Sequence, residues 1–551
     1  MKNPGKKFIY LCLSLLILVL AFYLWIQFRT GHDYKDHFAK LLPPDTAAFA
    51  SLSDLEGLWN RITSLKVYQE ITESEELAYL LLSSEDIQKW KNNLSQIEYK
   101  TRMDLGKNFI LRWLGQDVAI ALVPPESLTA PPGILVMSKT RIGFEEKLAE
   151  FIALYYPDLD LKTESYKRVS IHQYKGKKKF RSFSYLRFGR TVILSLRSSD
   201  ISLLRKIVDL KKDKDPPSLY TSEYFKQYLA SLKPNAGISL FINKDNMLNF
   251  LKASQKYSKS RTLEDMLPRI SEILNPYAHI HLRIHLEKGL EGEMGFYYQN
   301  PAEQMPPPPA EFQSLAKLPD NTSLFLGMKD SNLSSSLKLV LMFFFNNKNT
   351  EKSKDTELSE LKRLLHEYIL SHLKNEFTVS LVKMEPGIVT PLFSGDIFLE
   401  VKEPPKAEQE MITIFESLGA KKENREQGIL TPIGTLGYSL EGDFVRIKLR
   451  AQPDASQDLK PESNLSANPL FQNLFPSGMR ESHVVLYLNF QRISEDLDKL
   501  AKGSIQWNEK TRERVKQFKK WAGVCRYLQA CAVWDKRDDK TIVYNIRIPL
   551  Q

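Results

Sequence analysis

Cysteine is scarce in this chain. It occurs three times, as Cys12, Cys525 and Cys531, which is too few for a disulfide scaffold. Cys525 and Cys531 are near enough in sequence to pair in an oxidising compartment; two small buried residues is the reading we prefer. Cys12 follows Ile9-Tyr10-Leu11, bulky residues where a lipidation signal needs small ones, so a lipoprotein is excluded. Recognisable catalytic spacings are missing too. His366-Glu367 has its next histidine at His372, six residues on instead of four, which puts the two imidazoles on different helix faces. The GYSLEG around Ser439 misses a nucleophile elbow by one residue, and no glycine-rich phosphate loop occurs. No catalytic residue, metal-ligand set or cofactor site is read from this sequence, and no enzyme is inferred.

Long apolar runs are equally rare. The one that stands out is Phe8 to Phe28, free of charge and built from Leu, Ile, Val, Phe, Tyr and Trp. A bilayer span needs roughly 20 such residues at about 1.5 Å each. Phe22, Tyr23, Leu24 and Trp25 fall where a cleavable signal peptide would need small residues, so residues 1–28 read as a cytoplasmic stub and a retained transmembrane anchor. Lys2, Lys6 and Lys7 precede the run, placing the N-terminus in the cytoplasm and the remainder periplasmic or extracellular, a single-pass topology in the inner (plasma) membrane. Net charge is +11, or +8 once those three lysines are set aside. This favours anionic lipid or envelope polymer as surroundings, whereas nucleic acid does not fit an external compartment.

With 551 residues the chain exceeds what one core usually supports. Its phrases recur. LLPPDTAAFASLSDLEGLWNRI at residues 41–62 is answered by KLPDNTSLFLGMKDSNLSSSLK after residue 316, each reading as turn, alternating strand, aspartate and helix. Asp54 and Asp330 fit helix capping better than chemistry. FILRWLGQDVAIALVPP is answered by YILSHLKNEFTVSLVKMEP, GILVMSK by DIFLEVK, TVILSLR by DFVRIKLR, and both halves close on a hairpin. NPAEQMPPPPAEF lies between them and reads as an extended linker. We expect an α+β fold: an N-terminal transmembrane helix, then two duplicated, mainly antiparallel sheet-plus-helix units at 29–299 and 317–551, joined by a Pro-rich linker at 300–316.

The Leu-Pro-x-Asp-Thr opening after the apolar run, the phrase Leu114-Gly115-Gln116-Asp117-Val118-Ala119 and the closing hairpin resemble a family of bacterial membrane-anchored envelope proteins known only as a domain of unknown function. The resemblance is best over residues 41 to about 300. In the second half Asn321 and Lys374-Asn375-Glu376 depart from the pattern. It implies no activity, cofactor or site residue.

Two clusters merit attention. YAHIHLRIHL puts His279, His281, Arg283 and His285 on one face of a strand and Ile280, Leu282, Ile284 and Leu286 on the other. The apolar face should be the core and the histidine face the solvent side. From Lys167 to Arg197 there are ten Lys or Arg and no Asp or Glu. Lys175, Lys177, Lys178, Lys179 and Arg181 surround Gly176, a hairpin tip, and read either as a contact to an anionic surface or, the reading we favour, as charges that keep a sheet edge from aggregating.

The functional expectation is a membrane-anchored envelope binding or scaffolding protein, with the membrane and other envelope proteins as partners. A carrier or chaperone for lipid or another apolar ligand, and an envelope hydrolase with an unrecognised site, are the alternatives.

Overall fold

The computed structural model describes residues 37–66, 68–69, 117–125, 130–139, 159–176, 182–196, 201–213, 216–231, 237–258, 261–286, 289–299, 312–329, 373–387, 391–417, 429–431, 434–451, 463–475, 482–503, 528–537 and 540–549. The chain divides into two compact units. The first comprises Met1–Ser64, Ala78–Glu287 and Gly292–Pro301, the second Leu65–Leu77, Lys288–Glu291 and Ala302–Gln551.

The first unit runs β1 (Ala48–Leu52), α1 (Leu55–Ser64), β2 (Val118–Val123), β3 (Gly133–Lys139), β4 (Leu159–Tyr166), β5 (Val169–Gly176), β6 (Phe183–Phe188), β7 (Thr191–Leu196), α2 (Ser202–Lys212), α3 (Glu223–Ser231), β8 (Ile238–Asn243), α4 (Lys244–Ser258), α5 (Arg261–Leu274), β9 (Tyr277–Leu286) and β10 (Gly289–Tyr298). Its strands pair in the order β4-β5-β6-β7-β3-β2-β1-β8-β9-β10. The second contains β11 (Leu324–Lys329), β12 (Leu373–Pro386), β13 (Pro391–Val401), α6 (Pro404–Ser417), β14 (Ile429–Thr431), β15 (Gly434–Glu441), β16 (Phe444–Arg450), α7 (Pro469–Leu474), β17 (Val484–Asn489), α8 (Phe490–Gly503), β18 (Ala530–Arg537) and β19 (Thr541–Pro549). Here the order is β14-β15-β16-β13-β12-β11-β17-β18-β19.

The expected fold class is corrected on two counts. The sequence leads one to expect two duplicated sheet-plus-helix units and does not say whether their sheets join, whereas the strands belong to one nineteen-stranded sheet. Period-two patterning says which side chains share a face, but an edge strand's free N–H and C=O groups accept any neighbour, so sheet extent is not written in the pattern. An N-terminal transmembrane helix is likewise no part of the described fold: among the described residues no helix is long and apolar enough to cross a membrane. Phe8 to Phe28 lies outside those residues.

The recurring phrase is a buried turn. Thr46 donates its hydroxyl to the Pro43 carbonyl at 2.7 Å, and Thr322 does the same to Pro319 at 2.6 Å. Leu42 and Leu318 offer their carbonyls to the N–H groups of Leu219 and Leu465, each at 2.8 Å. Asp54 accepts from the Gly57 N–H at 3.0 Å, closing the first turn of α1, and it faces Arg61; Asp330 lies outside the described residues. Gln313–Lys317 forms a 3-10 helix that buries Leu315, with Phe312 buried just before it, so the end of the expected linker is part of the second unit's core.

In the first unit one sheet face packs Phe49, Ala121, Leu135, Ile193 and Phe241 against Leu204 and Ile207 of α2 and Phe225 and Tyr228 of α3. In the second unit both faces are covered: Phe325, Phe398, Tyr487 and Trp534 pack on Phe471 and Leu474 of α7, and Leu399 and Val445 pack on Met411 and Phe415 of α6.

Candidate functional site

The most unusual chemistry in the first unit lies on β9. His279, His281 and Arg283 are fully buried at 0%, 1% and 2% exposure, while Ile280, Leu282 and Ile284 are half-buried. This reverses the expectation that the histidine face meets solvent. Alternation separates two faces but does not say which will be covered, and here α3 lies over the histidine side. Tyr224 and Tyr228 of α3 bring their rings to 5.3 Å from His279 and 6.1 Å from His281. His279 also stacks on Tyr297 of β10 at 4.0 Å and lies 5.7 Å from Phe241 of β8.

Arg283 is engaged locally through its two terminal nitrogens, while its Nε has no hydrogen-bond partner. It pairs with Glu293 at 2.6 Å, donates to the Ser231 carbonyl at the end of α3, and places a guanidinium nitrogen 3.2 Å from His281 Nε2. A guanidinium can only donate, so Nε2 is the acceptor and the imidazole proton sits on Nδ1. His281 lies flat against Gly295, where a Cβ would come within 2.5 Å of its ring. Neither ring nitrogen of His279 nor Nδ1 of His281 has a hydrogen-bond partner. Burial pushes His279 down to about 4, and burial reinforced by Arg283 pushes His281 down to about 3, so both rings are neutral at pH 7.

The second unit places its buried ions elsewhere. Asp396 on β13 is fully enclosed and accepts from Arg446 at 3.1 Å and Arg450 at 2.8 Å, both on β16; Arg446 also reaches Glu441 at 3.0 Å. Asp535 on β18 accepts the N–H groups of His483 and Val484 at 2.6 and 2.7 Å and pairs with Arg537 at 2.8 Å. Glu376 caps the 3-10 helix at Gln313, taking its N–H at 2.9 Å and that of Ser314 at 3.0 Å. The sequence reading missed the Asp396 cluster, although period two puts Arg446 and Arg450 on one face of β16 and thereby carried part of the signal.

The other residues singled out from sequence are not brought together. Lys175 is exposed at the end of β5, opposite Asp160 of β4; Lys177, Lys178, Lys179 and Arg181 lie outside the described residues. Cys531 is a free, buried thiol whose desolvation raises it to about 11, and Cys525 lies outside the described residues. Ser439 Oγ is 3.4 Å from Glu441, an arrangement with no imidazole base. His366 and His372 lie outside the described residues. Among the described residues no three or more His, Cys, Asp or Glu converge as a metal site would require.

A family model matches residues 11–423. The chain belongs to the family described as Protein of unknown function (DUF3352). That membership in DUF3352 carries no activity with it. No curated protein matches the chain. The solved "Structure of crystal form I of TP0453" covers 48% of this chain and 81% of its own at 10% identity, with a TM-score of 0.23, a likeness too low to bear on fold or function.

Proposed function

We propose that this DUF3352 protein is a membrane-anchored envelope protein whose folded part binds or scaffolds other envelope components and is not an enzyme. The observation that carries the binding reading is α5. Its apolar positions Leu263, Met266, Leu267, Ile270 and Leu274 fall at helical spacing, yet none of its residues is buried and Ile273 is 60% exposed. An amphipathic helix whose apolar stripe its own domain only half covers suits recognition of a partner. Against catalysis, the buried carboxylates among the described residues, Glu376, Asp396, Glu400, Asp496 and Asp535, are all engaged by backbone N–H groups or cationic side chains. The uncharged run Phe8 to Phe28 behind Lys2, Lys6 and Lys7 supports the anchor, with the folded part on the outer side of the inner membrane.

A photo-crosslinking residue at position 273 of the full-length protein tests this in intact cells. A discrete protein adduct, lost when Ile270→Lys is added, is expected. An adduct pattern indistinguishable from that at an exposed polar position such as Glu264 would overturn the reading. External protease that leaves a C-terminal epitope untouched in spheroplasts but removes it after lysis would reverse the topology.

A further inference from the structure

Three successive inward positions of β9 carry titratable groups, and among the described residues the carboxylate beside them, Glu293, is already paired with Arg283. Around His279 and His281, β9 contributes Arg283 and, at the strand's outer end, His285. From β10 come Glu293, already held by Arg283, and Tyr297. The α3 helix adds Tyr224, Tyr228 and the Ser231 carbonyl, which Arg283 occupies, and β8 adds Ser239 and Phe241. A proton added to either ring would place a cation in a fully buried site beside a guanidinium, with the nearby carboxylate committed.

We propose that the β9–β10 hairpin is an acid-operated latch, closed against α3 while His279 and His281 are neutral and released when they take up protons. In the closed state both rings are desolvated and His279 is stacked on Tyr297; in the released state imidazolium reaches water, and the Arg283 repulsion is relieved. The direction follows from linkage. Both histidines sit below the ordinary value of about 6.5 when folded, so the closed state is fully favoured above that pH. It weakens as pH falls from 6.5 towards 4, because the open form binds more protons.

The molecule carries its own control. The β8–β9 and β17–β18 registers put Ala530, Ala532 and Trp534 where the first unit has His279, His281 and Arg283. Hydrogen exchange of the full chain, corrected for intrinsic rates, is compared at pH 7.5 and 5.0. Exchange in residues 277–298 is expected to rise by more than about ten-fold, as two depressed histidines require, with no matching rise in 530–549. His279→Phe, which keeps a ring on Tyr297, and separately His281→Gln should each lose a large part of that response. Equal rises in both hairpins, no rise in the first, or variants retaining the native response would each overturn the latch. If neither variant folds, the comparison of the two native hairpins decides.

Discussion

The two units place their strands in the same order, from the β7-β3-β2-β1-β8-β9 run of the first to β16-β13-β12-β11-β17-β18 of the second, yet they distribute buried charge differently: the first buries Arg283 on β9, whereas the second buries Asp396 with Arg446 on β13 and β16 and Asp535 on β18. The first unit buries no charge on β3 and β7, where Leu135 and Ile193 occupy the registers that Asp396 and Arg446 fill in the second. On the last inward row the pattern reverses, with His279, His281 and Arg283 against Ala530, Ala532 and Trp534. What recurs unchanged is backbone: the Thr46 and Thr322 turns, and Asn243 and Asn489, whose side chains take N–H groups of the following helices at 3.0 Å each. Backbone hydrogen bonding therefore defines this topology, and the same frame accepts either an apolar or a fully paired ionic row.

The comparison breaks most sharply at Asp396. Asp396→Leu alone should cost about 3–5 kcal/mol in denaturant unfolding, because Arg446 and Arg450 lose their buried partner. Adding Arg446→Ile, which copies the first unit's pair, should recover a substantial part of that loss; a double mutant no more stable than the single would show that the frame is not interchangeable. Arg283→Leu comes next, at roughly 3 kcal/mol, since Glu293 and the Ser231 carbonyl lose their donor; its effect on exchange should be confined to the first unit.

Acid should separate the units as well. Burial also lowers His37 to about 4, so His37, His279 and His281 all favour the folded first unit above pH 6.5. That contribution fades as pH falls towards 4. Exchange across the whole chain should show the first unit opening at a higher pH than the second, and simultaneous opening would remove the distinction. The smallest effects concern the shared turns. Thr46→Val and Thr322→Val should each cost about 1 kcal/mol, equally within error, as should Asn243→Ala and Asn489→Ala. A large inequality within either pair would mean that the turns are not doing the same job.

Several of these elements were legible beforehand. The Leu-Pro-x-Asp-Thr phrase contained its own turn chemistry, the alternating runs Val118 to Val123 and Thr191 to Leu196 became strands, and Asp54 capped its helix. Local hydrogen-bonding preferences and period-two patterning act over a few residues and can be read there. The histidine face of β9 could not be assigned in this way, because what covers it includes Tyr224 and Tyr228 on α3, about fifty residues earlier in the chain. Nor could the Asp396 cluster, whose members are brought together only when β13 and β16 pair.

The amino-acid sequence by itself determined the turns, the strands and caps that follow them, the side chains sharing each strand face, and membership in DUF3352. Only the tertiary structure decided which face became interior, that the strands form one sheet, and which carboxylates found cationic partners. The physical reason is range. Turn and strand preferences are settled among near neighbours, whereas burial and ion pairing depend on groups tens of residues apart that meet only after the chain has folded.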